Sequence, residues 1–387
     1  LNISNEVRDE LVRLTRDLVS IRSVNPPGSE AEIAGYVENY LEDLGLATTS
    51  VDLNGDPDRR SVVGRIPGKG SGSIVLCGHL DTVDVTEEHW TVPAFDGLVK
   101  DDRIYGRGSA DMKGGLAVMM VLARLIVESG MTPDRDVVLA FTADEEKGYG
   151  GAYNLGSGDL LDDSEFLIIT EPTNGNVYAG EKGELWAEVT FHGKAAHGST
   201  PENGVNAVMI AAEFALNLAS RVDKFPRDDS IGRTTLNVGQ LDGGWQVNIV
   251  PDKATVKLDF RVITDDHREL ALEAVNELAE KLAGEAGGEY EAEVMSYQKP
   301  VVSDVEDHFV SGFYRAAGSK PGGDDGTGPI IVPYCTDASA LVPQLEVPLV
   351  LYGPGAIEMA HQPDEYVEID SLIESLETFV EFFGVAR

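Results

Sequence analysis

The sequence predicts an α/β fold in which a mixed central sheet is flanked by helices, with a small ferredoxin-like α+β module inserted into it. Three observations lead there. Short apolar runs at 73–78, 136–141 and 165–170, each bounded by turn residues, read as buried strands. They end in His79 with Asp81, in Glu145 with Glu146, and in Glu171, at the carboxyl ends where open α/β sheets gather their ligands. From about Glu181 the pattern changes to a strand at 185–191, a helix at 205–221, strands at 234–238 and 254–261, a helix at 266–283 and a strand at 290–295. That order, βαββαβ, is the ferredoxin-like layout. The chain then returns to its first style, so the expected domains are 1–182 with 298–387, and an insert at 183–297. At 387 residues the chain exceeds what one core usually holds, which also favours two domains.

Val7, Leu11, Leu14 and Leu18 lie at helical spacing among charges, which makes the first helix amphipathic and unlike a secretory leader. Asn25-Pro26-Pro27-Gly28 breaks the backbone. Ser29 with Glu32 then forms the pattern of a capping box for a helix carrying Ile33, Val37, Leu41 and Leu44, ended by Gly45. Strands at 48–53 and 61–66 precede the run at 73–78, and a hairpin-like stretch follows at 97–105. Gly106 to Gly115, containing Asp111, opens an apolar helix that Arg124 interrupts, well short of the roughly 20 apolar residues of a membrane span. The Gly-rich loop at 318–328 lacks a Gly-Lys-Ser/Thr ending and carries Asp324 and Asp325, so it is not expected to hold phosphate. A strand at 348–352 and a helix with Leu372, Leu376, Phe379 and Phe383 on one face finish the reading.

Lys and Arg total 30 against 67 Asp and Glu, a formal charge of −37. Such a surface repels nucleic acid and anionic membranes, so neither is an expected partner. With 42% apolar residues in periodic segments the chain is globular and not disordered, and the acid excess is read as adaptation to high salt. Two cysteines, Cys77 and Cys335, are too few for a disulfide framework; Cys77 is expected to be a small buried hydrophobe, and the protein cytoplasmic.

The polar residues at strand ends and adjoining loops are His79, Asp81, Asp111, Glu145, Glu146, Glu171 and His361. Met singly, each has an ordinary reading: a solvated Glu pair, an Asp in a turn, a surface histidine. Together, two imidazoles and several carboxylates without thiolates suit Zn²⁺, and would also accept Co²⁺ or Mn²⁺. Charge favours two ions over one, because two divalent ions balance three carboxylates and a hydroxide, whereas one would leave the carboxylates repelling each other.

The segments HLDTV, GRGSADMKGG, ADEEKGYGG, EPT, AAHGSTPENGVNA and GPG with AHQPDEYV resemble, in order and over nearly the whole chain, the co-catalytic zinc metallopeptidases. That family includes aminoacylase, acetylornithine deacetylase, succinyl-diaminopimelate desuccinylase and glutamate carboxypeptidase. The resemblance implies a zinc-peptidase-like catalytic domain and an inserted lid and dimerisation domain. It makes Asp111 the carboxylate bridging two Zn²⁺, with His79 and Glu171 on one ion and Glu146 and His361 on the other. Asp81 would hold His79 from behind. Glu145 would be the general base, a role that requires a carboxylate off the metals. His197 is similar to a histidine that reaches across from a partner subunit's lid to stabilise the oxyanion, which implies a homodimer. Asn248 and Arg261 resemble lid residues that grip the substrate's carboxylate. His89, His192, His267 and His308 match no ligand position, and Lys147 departs from the small or apolar residue that usually follows the Glu pair, which clouds the subfamily.

The implied activity is hydrolysis of the amide of a small N-acyl amino acid, as in the acetylornithine deacetylase and succinyl-diaminopimelate desuccinylase branch. A dipeptidase or carboxypeptidase acting on short peptides with the same metals is the alternative. A metal-containing binding protein would be expected to lack Glu145 or a ligand, and none is missing.

Overall fold

The computed structural model describes residues 3–323, 326, 328 and 330–385; Asp324 and Asp325 of the Gly-rich loop lie outside them. The chain divides into two compact units, the first being Leu1–Gly180, Val302–Ile330 and Thr336–Arg387, the second Glu181–Val301 with Ile331–Cys335.

The first unit begins with α1 (Asn5–Ser20), whose buried Val7, Leu11, Leu14 and Leu18 face the core and whose first turn is capped by the Ser4 hydroxyl, which accepts from the Val7 N–H. Next comes α2 (Ala31–Asp43), burying Ile33, Val37 and Leu41. Its expected capping box does not form. Glu30 takes the N-cap position without capping, because its carboxylate is claimed by Arg59 at 2.7 and 2.9 Å, and a charge-assisted two-point pair outweighs a single cap bond.

There follow β1 (Ala47–Leu53), β2 (Asp56–Ile66), β3 (Ser73–His79), β4 (Leu98–Lys100), β5 (Arg103–Tyr105), α3 (Gly114–Ser129), β6 (Asp136–Thr142), α4 (Gly150–Gly156) and β7 (Ser164–Ile169). Every residue of β3 is buried, as in a strand covered on both faces. Helix α3 is buried continuously from Gly114 to Ala123, which accounts for its apolar character all round. Gly115 allows its close approach: a Cβ there would lie 2.4 Å from the Thr170 carbonyl oxygen.

The second unit holds β8 (Gly183–His192), α5 (Ala207–Val222), β9 (Thr235–Gly243), β10 (Lys253–Val262), α6 (Asp265–Ala286) and β11 (Glu289–Gln298). Its sheet order is β9-β10-β8-β11, antiparallel throughout, so the insert's strands pair in the order 2-3-1-4 of a ferredoxin-like layer. Leu185, Val189 and Phe191 of the sheet pack with Phe214 of α5 and Val275 of α6 in a core of their own.

The first unit resumes with α7 (His308–Ala316), α8 (Ala338–Leu345), β12 (Leu349–Leu351), β13 (Tyr366–Glu368) and α9 (Ile369–Phe383). The central sheet runs β1-β2-β6-β3-β7-β12. It is mixed, as predicted: β1, β2 and β6 pair antiparallel, while β6, β3, β7 and β12 are parallel. The register sets His79 beside Thr142 and Cys77 beside Ile169, so three parallel strands end together. Their carboxyl ends carry the site. Among the described residues no helix is long and apolar enough to cross a membrane.

Candidate metal centre

His79 closes β3 with its side chain 1% exposed. Its Nδ1 lies 2.9 Å from the Asp81 carbonyl oxygen; an N–H there donates to that oxygen and leaves the Nε2 lone pair facing inward. Nε2 is 3.0 Å from Asp111 Oδ1 and 3.6 Å from Glu171 Oε1. On the other side, His361 Nε2 lies 3.1 Å from Glu146 Oε2 and 3.5 Å from Asp111 Oδ2. The donor atoms thus fall into two groups, His79-Asp111-Glu171 and Asp111-Glu146-His361, each within 4.8 Å, and Asp111 belongs to both.

The donor set fits a pair of divalent cations. Each group offers one imidazole and two carboxylates, with no thiolate, and the shared aspartate presents a different oxygen to each side. The electrostatics agree. Burial raises Glu171 and Glu146, and the charge of Asp111 adds to both. Asp111 moves the other way: burial opposes its charge, but with no cation bound a protonated His79, through its hydrogen bond and charge, holds it below the usual carboxylate range. So many carboxylates in a buried space call for positive charge.

Glu145 lies in neither donor group. Its Oε2 is 4.0 Å from His79 Nε2, and the side chain is nearly buried.

Asp81 differs from expectation. Its carboxylate is 3.7 Å from His79 Nδ1, and it is the main-chain carbonyl that meets the ring. The carboxylate instead accepts from the backbone N–H groups of Glu145 and Glu146, both at 3.1 Å, and from Asn25 Nδ2 at 2.9 Å. Two backbone donors from the next strand's end lie within its reach, whereas the carbonyl already meets the ring nitrogen.

Asn25 also donates to Asp144, which sits at φ +71 and takes a further bond from Arg59 at 2.7 Å. The Asn25 turn, Glu30, Arg59, Asp144 and Asp81 therefore form one network behind the Glu145–Glu146 turn. The sequence shows Asn25 only as part of a chain break, and no spacing rule links it to a partner 56 residues away.

His197 and Asn248 lie in the second unit, on exposed neighbouring segments: His197 bridges Ile249, and the Gly198 N–H donates to the Asn248 carbonyl at 2.8 Å. Arg261, in the same unit, is partnered by Glu184 at 3.2 Å and Asp259 at 3.0 Å. Of the histidines set aside, His267 is held by Thr234 at 2.7 Å, and His308 is exposed.

Residues 75–384 match the peptidase family M20/M25/M40. The chain belongs to this family. It is a metal-binding hydrolase, a metallopeptidase or amidohydrolase acting on an amide or peptide bond. A probable succinyl-diaminopimelate desuccinylase of Staphylococcus aureus is 29% identical over 400 aligned positions, covering 96% of each chain. Among solved structures, a tripeptidase from Staphylococcus aureus superposes with a TM-score of 0.81 at 26% identity, covering 97% of each. The YXEP protein of Bacillus subtilis, described as a dinuclear metal binding peptidase, shares the fold with a TM-score of 0.72 at 17% identity, over 99% of this chain and 100% of that one.

Proposed function

We propose that this hydrolase uses two Zn²⁺ ions to cleave the amide of a small N-acyl amino acid, in the manner of a desuccinylase or deacetylase. The observation that carries this reading is the shared Asp111 between two donor groups, with Glu145 4.0 Å from His79 of the first group and part of neither. His79 and Glu171 would hold one ion, Glu146 and His361 the other, and Asp111 both. When bound, the ions supply Lewis acidity to the amide carbonyl and to the attacking water. Glu145 takes the water's proton and delivers it to the departing amine. Asp81 fixes the Glu145–Glu146 turn through its two backbone N–H groups, and so sets where the base stands. Co²⁺ and Mn²⁺ suit the same donors.

The acyl-amino-acid preference is supported by the desuccinylase relative. The second reading, a peptidase of short peptides, is supported by the tripeptidase structure. Succinyl-diaminopimelate, acetyl-ornithine, dipeptides and tripeptides, assayed with Zn²⁺ or Co²⁺ and with metal content measured, separate them. Turnover of the acyl amino acids above the peptides is the expected result, and the reverse order would give the peptidase reading.

The reading extends to the second unit as a lid and a homodimer interface, with His197 of the partner subunit stabilising the oxyanion and Asn248 and Arg261 contacting the substrate. Exposed apolar side chains on that unit support an interface: Met209 and Leu216 on α5 are 64% and 74% exposed, and Trp245 72%. Mixing His197→Ala with Glu145→Gln protein tests the trans arrangement, since activity returns, at one site per mixed dimer, only if the Glu145→Gln copy lends its His197 to the site of the other. A cytoplasmic setting belongs to the same reading and agrees with two buried cysteines kept as thiols.

A further inference from the structure

Glu365 was not among the residues singled out by sequence, yet its side chain is fully buried and both carboxylate oxygens are fully engaged. Oε1 accepts from the backbone N–H groups of Ala110 at 2.9 Å and Asp111 at 3.0 Å. Oε2 accepts from the Gly108 N–H at 3.0 Å and from Arg107 Nη1 at 2.6 Å. The placement follows from the fold: β13 pairs antiparallel with β5, Tyr366 opposite Tyr105, and the Gly106 N–H donates to the Glu365 carbonyl at 2.8 Å. One short loop therefore supplies His361 by its side chain and, four residues on, grips the backbone that carries Asp111.

We propose that Glu365 is a positioning residue for the metal centre, fixing the bridging Asp111 against His361. This rests on the assignment of Asp111 and His361 as ligands. The effect falls unequally on the two ions. The partners of Asp111 in the first group, His79 and Glu171, stand at the ends of parallel strands and keep their places without Glu365. In the second group Asp111 and His361 both come from the segments that Glu365 joins. Loss of the carboxylate should weaken the second group about 10- to 100-fold, the usual cost of removing a group that orients a ligand, and the first group less.

Glu365→Gln keeps the volume but turns an NH₂ donor toward donors, which cannot pair. The test is calorimetric and absorption titration of metal-free protein with Co²⁺, for wild type and E365Q. Two equivalents on wild type, with one selectively weakened in E365Q and activity recovering at excess metal, support the inference. Fewer than two equivalents on wild type would defeat the dinuclear assignment itself. Two equivalents on both proteins with equal affinity would overturn the role of Glu365 alone. Asp364→Asn is the control, since Asp364 holds the same loop to Thr91 and Val92 and not to the Asp111 segment. It should bind metal as wild type does; weakening equal to that of E365Q would reduce Glu365 to general loop support and overturn the proposal. Should E365Q not fold, Glu365→Asp, which withdraws the carboxylate by one methylene, is read by the same titration, and unchanged affinities again refute it.

Discussion

The buried acids of the first unit and the exposed acids on one helix and strand pair of the second meet different surroundings. In the first, Glu30, Asp81, Asp111 and Glu365 are buried and given partners: backbone N–H groups, arginines, an asparagine or an imidazole. In the second, Glu269, Glu273 and Glu277 follow one another at four-residue spacing on the exposed face of α6, and Glu293 of β11 stands directly opposite Glu188 of β8. Like charges so placed repel, across a strand pair or along a helix. The same side chain is thus held by buried donors in the first case, and in the second stands in solvent beside other acids, with Arg221, Arg268 and Lys257 as partly exposed partners of Glu277, Glu269 and Glu188.

The comparison is broken most severely at Glu145, the proposed base. Glu145→Gln should lower kcat by about 10²- to 10⁴-fold while both metals remain bound, because it removes a proton acceptor and no ligand. Metal analysis beside the kinetics checks this, and loss of an ion with the activity would make Glu145 a ligand. Removing a donor from a buried acid comes next. Arg59→Met leaves Glu30 buried without its cation, which should destabilise the first unit by about 3 kcal/mol, read by urea unfolding of the metal-free protein.

Salt sharpens the contrast from the other side. At 0.05 M the exposed carboxylates of the second unit repel over long range, whereas at 3 M that repulsion is screened and buried pairs are affected much less. The melting temperature should rise steeply across that range at fixed zinc, with the second unit gaining more, as proteolysis of each unit would show. A flat profile would remove the reading of the −37 charge as salt adaptation.

The smallest expected effect is a histidine in the second unit. Burial holds the His267 pKa below its ordinary value, with Asp266 opposing. The folded state therefore binds this proton less tightly than the unfolded chain, so the contribution is complete above about pH 6.5 and is lost as pH falls below it. The stability gap between wild type and His267→Asn should shrink between pH 7 and 5; a constant gap would mean that this ring does not titrate differently on unfolding.

What was legible in the sequence was whatever local pattern encodes. Apolar runs closed by His79, Glu145 with Glu146, and Glu171 specify strands and their ends at once, because a buried strand must be apolar and its end is the first place a polar group can stand. The βαββαβ order of the insert was legible for the same reason. Illegible were the groups that act across the chain. Glu30, inside the expected Ser29 and Glu32 capping box, carried no signal of its pairing with Arg59; Asn25 looked like a break and bridges Asp81 and Asp144; nothing local to Arg261 announced its pairing with Glu184. These pairings are set by sheet order and loop closure, which only the assembled fold brings about.

The division of the first unit into separated segments has a consequence for synthesis. His79, Asp111 and Glu171 have all been made by residue 171, but the second donor group waits for His361, with the entire insert encoded between them. At roughly 5–20 residues per second the ribosome takes on the order of 10 to 40 seconds over that interval. A nascent chain therefore carries one complete set of donors and two of the three of another while the second unit is being made. The order of translation imposes an order on the centre, in which one donor group is complete well before the other.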